Sequence, residues 1–135
     1  MTVQTLEPQV QTTQIKTLKL SDYIRQGAKI RPQARYQLFH YDDFEHQWTS
    51  CALGAAYEAM TDDLVPSNLI TMEEAFKKLR EVFPTVLDDT IQWPRLVAPS
   101  VGYKNETAVI VTMVLNDRFH WSREEIADYL ESRGV

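Results

Sequence analysis

Apolar residues recur every three or four positions in "ITMEEAFKKLREVFP", residues 70–84, and polar residues fill the positions between them. This spacing predicts an amphipathic helix. Thr71 and Glu74 have the separation of a capping box, and Pro84 is expected to end the helix. The predicted buried stripe consists of Ala75, Phe76, Leu79, Val82 and Phe83.

Similar patterns predict helices near both ends of the chain. "KLSDYIRQGAKIRPQ" places Ser21 as the N-cap of a helix whose inner face carries Leu20, Ile24 and Ala28. "HWSREEIADYLESRGV" contains a second capping box, Ser122 with Glu125, and Gly134 is expected to end that helix.

The central region gives a mixed signal. An aromatic-rich segment predicts a short hairpin, about 36–41 against 46–50, and "TSCALGAAYEAM" predicts a helix from about Ser50 to Thr61. The run "NETAVIVTMVLND" is ambiguous. Its β-branched residues favour a strand over 106–115, whereas Asn105 as N-cap favours a helix.

Length and composition support one mainly α domain of four to five short helices with a possible small β-hairpin. The chain has 135 residues, and we expect residues 1–19 to be a flexible or extended tail and 20–135 the domain. The single cysteine excludes an intramolecular disulfide and a multi-cysteine metal site. The N-terminus lacks the apolar region of a secretory signal, and the longest apolar run, "AVIVTMVL", is too short for a membrane span. We therefore expect a cytoplasmic protein.

Charge is distributed unevenly along the chain. The net charge is −5, yet the segment 15–35 carries about +5 and the remainder about −10. Its cations are Lys16, Lys19, Arg25, Lys29, Arg31 and Arg35. They predict either internal pairing with the acidic remainder or a patch that binds an acidic or phosphate-bearing partner.

Cys51 is the one candidate nucleophile. If Ser50 caps the helix, Cys51 lies in its first turn, where the helix dipole lowers a thiol pKa. His120 could then serve as the base, with Asn116 or Asp117 orienting it. The alternative, which we favour, is packing. Cysteine behaves as a small buried hydrophobe, and the alanines and glycine beside it would let a second helix approach closely.

Two stretches together, "TSCALGAAYEA" and "LNDRFHWSREEIADYLES", carry a resemblance to a family. The chain resembles a group of small bacterial and phage proteins of unknown activity, in which a "CALGAA" helix precedes "HLNDxHxWTREQIADWL". The resemblance covers most of residues 20–135 and favours a helix over 106–115. It implies a fold rather than a function.

The same family resemblance bears on metal binding. Some members carry a Cys-Pro-x-Cys segment that, with the two histidines of "HLNDxH", suits a zinc site. The corresponding positions here are all apolar: Ala98, Val101, Val114 and Phe119. We therefore expect no metal and no cofactor, with apolar packing joining the same loop and helix end.

These patterns favour a small non-catalytic regulatory or adaptor protein that acts through protein contacts or self-association. Two alternatives stay open. One is a nucleic-acid-associated protein that uses the basic segment, and the other is a thiol enzyme that uses Cys51 and His120.

Overall fold

The computed structural model describes residues 18–61, 70–85 and 88–135. It confirms a mainly α fold with a small hairpin, although the described residues form six helices rather than four to five. The helices are α1 (Leu20–Ala28), α2 (Ala52–Thr61), α3 (Met72–Val82), α4 (Ala98–Val101), α5 (Ala108–Asp117) and α6 (Arg123–Ser132). The strands are β1 (Phe39–Asp42), β2 (Gln47–Ser50), β3 (Thr90–Ile91) and β4 (Glu106–Thr107). Most of the expected tail, residues 1–17, lies outside the described residues.

The predicted hairpin is present. β1 and β2 pair antiparallel, with Phe39 opposite Ser50 and Tyr41 opposite Trp48. Asp42 Oδ1 accepts the backbone N–H of Phe44 at the turn, as is typical of aspartate in tight turns. The hairpin therefore delivers the chain directly from β2 into α2.

The closest helix contact joins α1 to α2. A Cβ added at Gly27 would lie 1.9 Å from the backbone oxygen of Ala55. The flanking positions Ala52 and Ala56 are fully buried. The prediction that small residues in α2 admit a second helix is thus confirmed, and α1 is that helix.

Local signals located most helix starts but not all. Both predicted capping boxes form, at Thr71–Glu74 and at Ser122–Glu125. The N-cap of α1 is Lys19 rather than Ser21, because the helix begins one residue before that serine. Val82 is exposed rather than buried, since it lies in the last turn of α3, at the edge of the apolar stripe.

The ambiguous run is largely helical. α5 begins at Ala108, and its N-cap is Thr107, whose hydroxyl accepts the N–H of Ile110; Asn105 is not the cap. The two residues before α5 pair with β3 as a short strand. Both elements suggested by the sequence therefore occur, one directly after the other.

The core lies between α1, α2, α3, α5 and α6. Its fully buried large side chains include Ile24, Leu53, Leu115, Ile126 and Leu130. Val135 packs into this core and is buried, and its backbone oxygen accepts the N–H of Ser21 at the start of α1. Among the described residues, the longest helices fall well short of the length and apolar character that a membrane span requires.

Candidate functional site

Cys51 lies at the junction of β2 and α2. Ser50 is the last residue of β2 and not the N-cap; Cys51 directly precedes α2, and its sulfur accepts the N–H of Gly54 at 3.4 Å. The side chain is only 8% exposed. Burial raises the pKa of the Cys51 thiol to about 11, more than the contact with the Gly54 amide lowers it. The thiol is therefore protonated at neutral pH.

His120, the candidate base, lies on the surface near the end of α5. It is exposed and follows the end of α5 in a left-handed conformation, with φ of 56°. Within residues 18–61, 70–85 and 88–135, no hydrogen bond links its ring to the thiol or to another side chain. The base considered in the less favoured thiol-enzyme alternative thus makes no hydrogen bond to the thiol among the described residues.

Asn116 adds a second acceptor at the start of α2, beside the Cys51 sulfur. Its side chain is almost fully buried, and its Oδ1 accepts the N–H of Ala52 at 3.1 Å and the side-chain amide of Gln33 at 2.8 Å. Its Nδ2 donates to the backbone oxygen of Ala34 at 2.9 Å. One amide side chain on α5 therefore caps α2 and anchors the segment that leads into β1.

Asp117 holds the next part of that segment. Its Oδ1 accepts the backbone N–H of Tyr36 at 2.8 Å and the amide of Asn116 at 2.7 Å. Tyr36 has φ of 67°, which is uncommon for a bulky residue and costs on the order of 1 kcal/mol or more. The sequence motif Asn116–Asp117 is thus used to fix residues 33–36 against α2 and α5.

A small cavity of about 40 Å³ lies beside these groups. Its polar lining includes Cys51, Thr112 and Asp117, and its remaining lining is mainly apolar. A shallower groove of about 310 Å³, bordered also by Phe39 and Ile70, adjoins it. The two share four lining residues: Tyr36, Gln37, Leu38 and Met72.

Two residues of the basic segment are paired within the chain. Arg25 contacts Glu131 at 2.6 Å and Asp128 at 2.8 Å, both on α6, and these hydrogen-bonded carboxylates raise the pKa of Arg25. Arg31 binds Glu58 of α2 through both ends of its guanidinium, at 2.7 and 2.8 Å. These two cations do not meet the condition for a partner-binding patch, which requires cations unpaired with the chain's own carboxylates.

Three of the other four cations of the segment lie within the described residues. Lys19 and Lys29 are exposed, and Arg35 is half-buried with its Nε unpartnered among the described residues. Lys16 lies outside the described residues. Within the described part of the segment, two exposed lysines and one half-buried arginine are too few to indicate a nucleic-acid footprint.

A buried cation outside the basic segment escaped sequence analysis. The guanidinium of Arg123 donates to Ser50 Oγ at 3.0 Å and to the backbone oxygens of Arg31 and Ala28 at 2.7 and 3.3 Å. Burial lowers its pKa. Arg123 thus ties α6 to the end of α1 and to β2. No local signal marks it, because its acceptors lie more than 70 residues away.

The four positions that correspond to a zinc site are not equally buried. Ala98 is buried, whereas Val101, Val114 and Phe119 are half-buried. Val101 and Phe119 pack against the core. Within the described ranges, no three histidine, cysteine or acidic side chains lie close enough together to hold a metal ion. The apolar joint between loop and helix end stays a prediction.

Comparison with protein-family models, curated proteins and solved structures gave no match to this chain. The resemblance of residues 20–135 to the bacterial and phage group therefore also stays a prediction.

Proposed function

We propose that this chain is a small non-catalytic regulatory or adaptor protein, and that it contacts a protein partner through the groove beside Tyr36 and Met72. The observation that carries the proposal is the state of Tyr36. The residue is 72% exposed, yet its backbone lies in a left-handed conformation and its N–H donates to Asp117. Strained backbone that displays an exposed aromatic ring is typical of binding sites.

The chemistry of the groove supports a protein contact. Tyrosine and methionine are enriched in protein interfaces, and Met72 is 41% exposed at the groove edge. Methionine is flexible and polarisable, so it adapts to a partner surface. Below the rim, Leu38 and Phe39 are buried and supply an apolar floor.

Charge indicates the kind of partner. Asp117 is the only charged residue lining the cavity or the groove in the part of the chain that the structure describes. Outside the basic segment the chain carries about −10. An apolar groove with one carboxylate in an acidic body is complementary to a protein segment that carries apolar and basic side chains.

The catalytic alternative has less support. A thiol nucleophile needs a thiolate and a base within hydrogen-bond reach. Cys51 is buried with a raised pKa, and His120 is exposed without a hydrogen bond to it. The nucleic-acid alternative is weakened because Arg25 and Arg31 are paired with carboxylates of α6 and α2.

The test compares three immobilised proteins in nuclease-treated extract of the source cells: wild type, Met72→Glu and Leu96→Glu. Leu96 is 87% exposed and lines neither the groove nor the cavity, so it serves as the matched control. We expect a protein that is retained by wild type and Leu96→Glu but lost by Met72→Glu. It should bind again as a purified component.

Three results would contradict the proposal. If Met72→Glu and Leu96→Glu retain the same protein equally well, the groove does not form the contact. Retention in a parallel untreated extract, with none in the nuclease-treated extract, would favour the nucleic-acid alternative. The retained protein could also prove to be this chain itself. If sedimentation then shows a dimer that Met72→Glu abolishes, the groove binds a second copy of the chain and not a different protein.

A further inference from the structure

The cavity beneath the groove contains polar atoms whose hydrogen bonds are incomplete. Thr112 is fully buried, and its Oγ1 has no hydrogen-bond partner among the described residues. Asp117 uses Oδ1 for both of its hydrogen bonds in that part of the chain, and Oδ2 makes none. A buried hydroxyl is nearly always satisfied, so Thr112 Oγ1 indicates an unfilled polar site, and the half-buried Asp117 leaves Oδ2 free to accept a hydrogen bond in the same cavity.

The walls between these atoms and solvent are apolar. Leu38, Leu53 and Met113 line the cavity, and the groove outside it ends at Met72 and Tyr36. A ligand that reaches the two acceptors must therefore place apolar atoms along the walls. It must also carry a hydrogen-bond donor at its tip.

We propose that the cavity binds the side chain of a lysine presented by the protein partner. The ammonium group reaches Asp117 and Thr112, and the four methylenes lie along Leu38 and the rim of the groove. This inference rests on the proposed function and identifies the anchor of that contact. Lysine combines an apolar stem with a compact cation that donates three hydrogen bonds.

Other side chains fit the site less well. An apolar tip would leave the Thr112 hydroxyl unsatisfied and would bury Asp117 without a counter-charge. A carboxylate would be repelled by Asp117. The planar guanidinium of arginine is larger than an ammonium group, and the cavity of about 40 Å³ has room for only a few water-sized groups.

The field inside the cavity already acts on a neighbouring group. Asp117 and Cys51 line the same cavity, and after burial, which is the main cause, the negative charge of Asp117 also raises the pKa of the Cys51 thiol. A cation bound there would be stabilised by the same field. Cys51 is then a wall of the site rather than a nucleophile.

The probes are Nα-acetyl-lysine methylamide and the same compound acetylated at Nε, which keeps the stem and removes the charge. Binding is followed by backbone amide chemical shifts of the isotope-labelled full chain. We expect saturable shifts at Thr112 and Asp117 with the charged probe, at a Kd of about 1 mM for so small a ligand. The Nε-acetylated probe should bind at least about tenfold more weakly, since one charged hydrogen bond accounts for such a factor.

Two variants report on the acceptors. Asp117→Asn keeps the acceptor for Tyr36 and removes the charge, so affinity for the charged probe should fall about tenfold or more. Thr112→Val keeps the side-chain shape and removes the unpartnered hydroxyl. It should weaken binding several-fold while leaving the melting temperature unchanged or higher.

Equal binding of both probes, shifts confined to other residues, or unchanged affinity in Asp117→Asn would overturn the lysine assignment. The partner-retention assay separates this failure from failure of the proposed function. If Met72→Glu still abolishes retention, the groove is the contact and its anchor is not lysine. If the lysine probe binds while both immobilised variants retain the same proteins, the protein-contact function is wrong.

Discussion

Gly27→Ala tests the contact on which the fold most depends, the crossing of α1 and α2. The added Cβ would lie 1.9 Å from Ala55 O and 2.3 Å from Ala55 C, both backbone atoms. Ordinary contacts between non-bonded heavy atoms lie at about 3.5–4.0 Å, so the helices must separate by roughly 1 Å or more. Because backbone cannot rotate away as a side chain can, the whole crossing must shift.

The expected loss follows from two opposing terms. Overpacking a tight interior costs about 1–3 kcal/mol, and a clash with backbone belongs at the upper end. Replacing glycine by alanine within a helix stabilises the helix by about 1 kcal/mol, because alanine has the higher helix propensity. We therefore expect the free energy of unfolding to fall by about 2 kcal/mol. For a chain of this size that lowers Tm by roughly 8 °C.

Urea and thermal unfolding, followed by far-UV circular dichroism, measure this loss. Gln26→Ala, at an exposed neighbour in α1, should change stability by no more than about 0.5 kcal/mol. Gly134→Ala has space for its Cβ but φ of 82°, so it should cost about 1 kcal/mol from backbone strain alone. A Gly27→Ala protein as stable as wild type would refute the close crossing.

Three further predictions concern buried groups. The Cys51 thiol has its pKa raised from 9.0 to about 11, so the folded state holds a proton that the unfolded state releases. The free energy of unfolding should therefore be unaffected by this thiol below pH 9 and fall as pH rises towards 11. In urea titrations, Cys51→Ala should reduce this pH-dependent loss. Fast alkylation of the folded wild type near neutral pH would contradict the burial of the thiol. Asn116→Ala should cost about 2–4 kcal/mol, because its hydrogen bond to the start of α2 and three further hydrogen bonds disappear, whereas exposed Asn105→Ala should be nearly neutral in the same melts. Arg31→Met should cost about 3 kcal/mol, because it removes two hydrogen bonds from the buried Glu58 carboxylate. Arg25→Met should cost only about 0–1 kcal/mol, because its ion pairs are more exposed. Equal losses in denaturant titrations would show that burial does not account for a difference between the two ion pairs.

Several features of this protein were determined by short stretches of sequence. The capping boxes at Thr71–Glu74 and Ser122–Glu125 depend on residues three positions apart, and both form. The hairpin follows from an aromatic-rich segment interrupted at Asp42, and the close crossing at α2 follows from its small residues. In the capping boxes and the hairpin, the interacting groups are close together along the chain. In α2, the run of small residues indicates a surface that another helix can approach closely.

The tertiary structure alone decided the rest, because the interacting groups are far apart in sequence. Asn116 and Asp117 were considered as groups that could orient His120, but their partners include Ala52 and Tyr36, which lie 64 and 81 residues away. Arg25 and Arg31 were candidates for a partner surface until α6 and α2 supplied their carboxylates. Cys51 and Thr112 share a cavity only because α2 and α5 pack together, so its unpartnered hydroxyl could not be predicted from either helix.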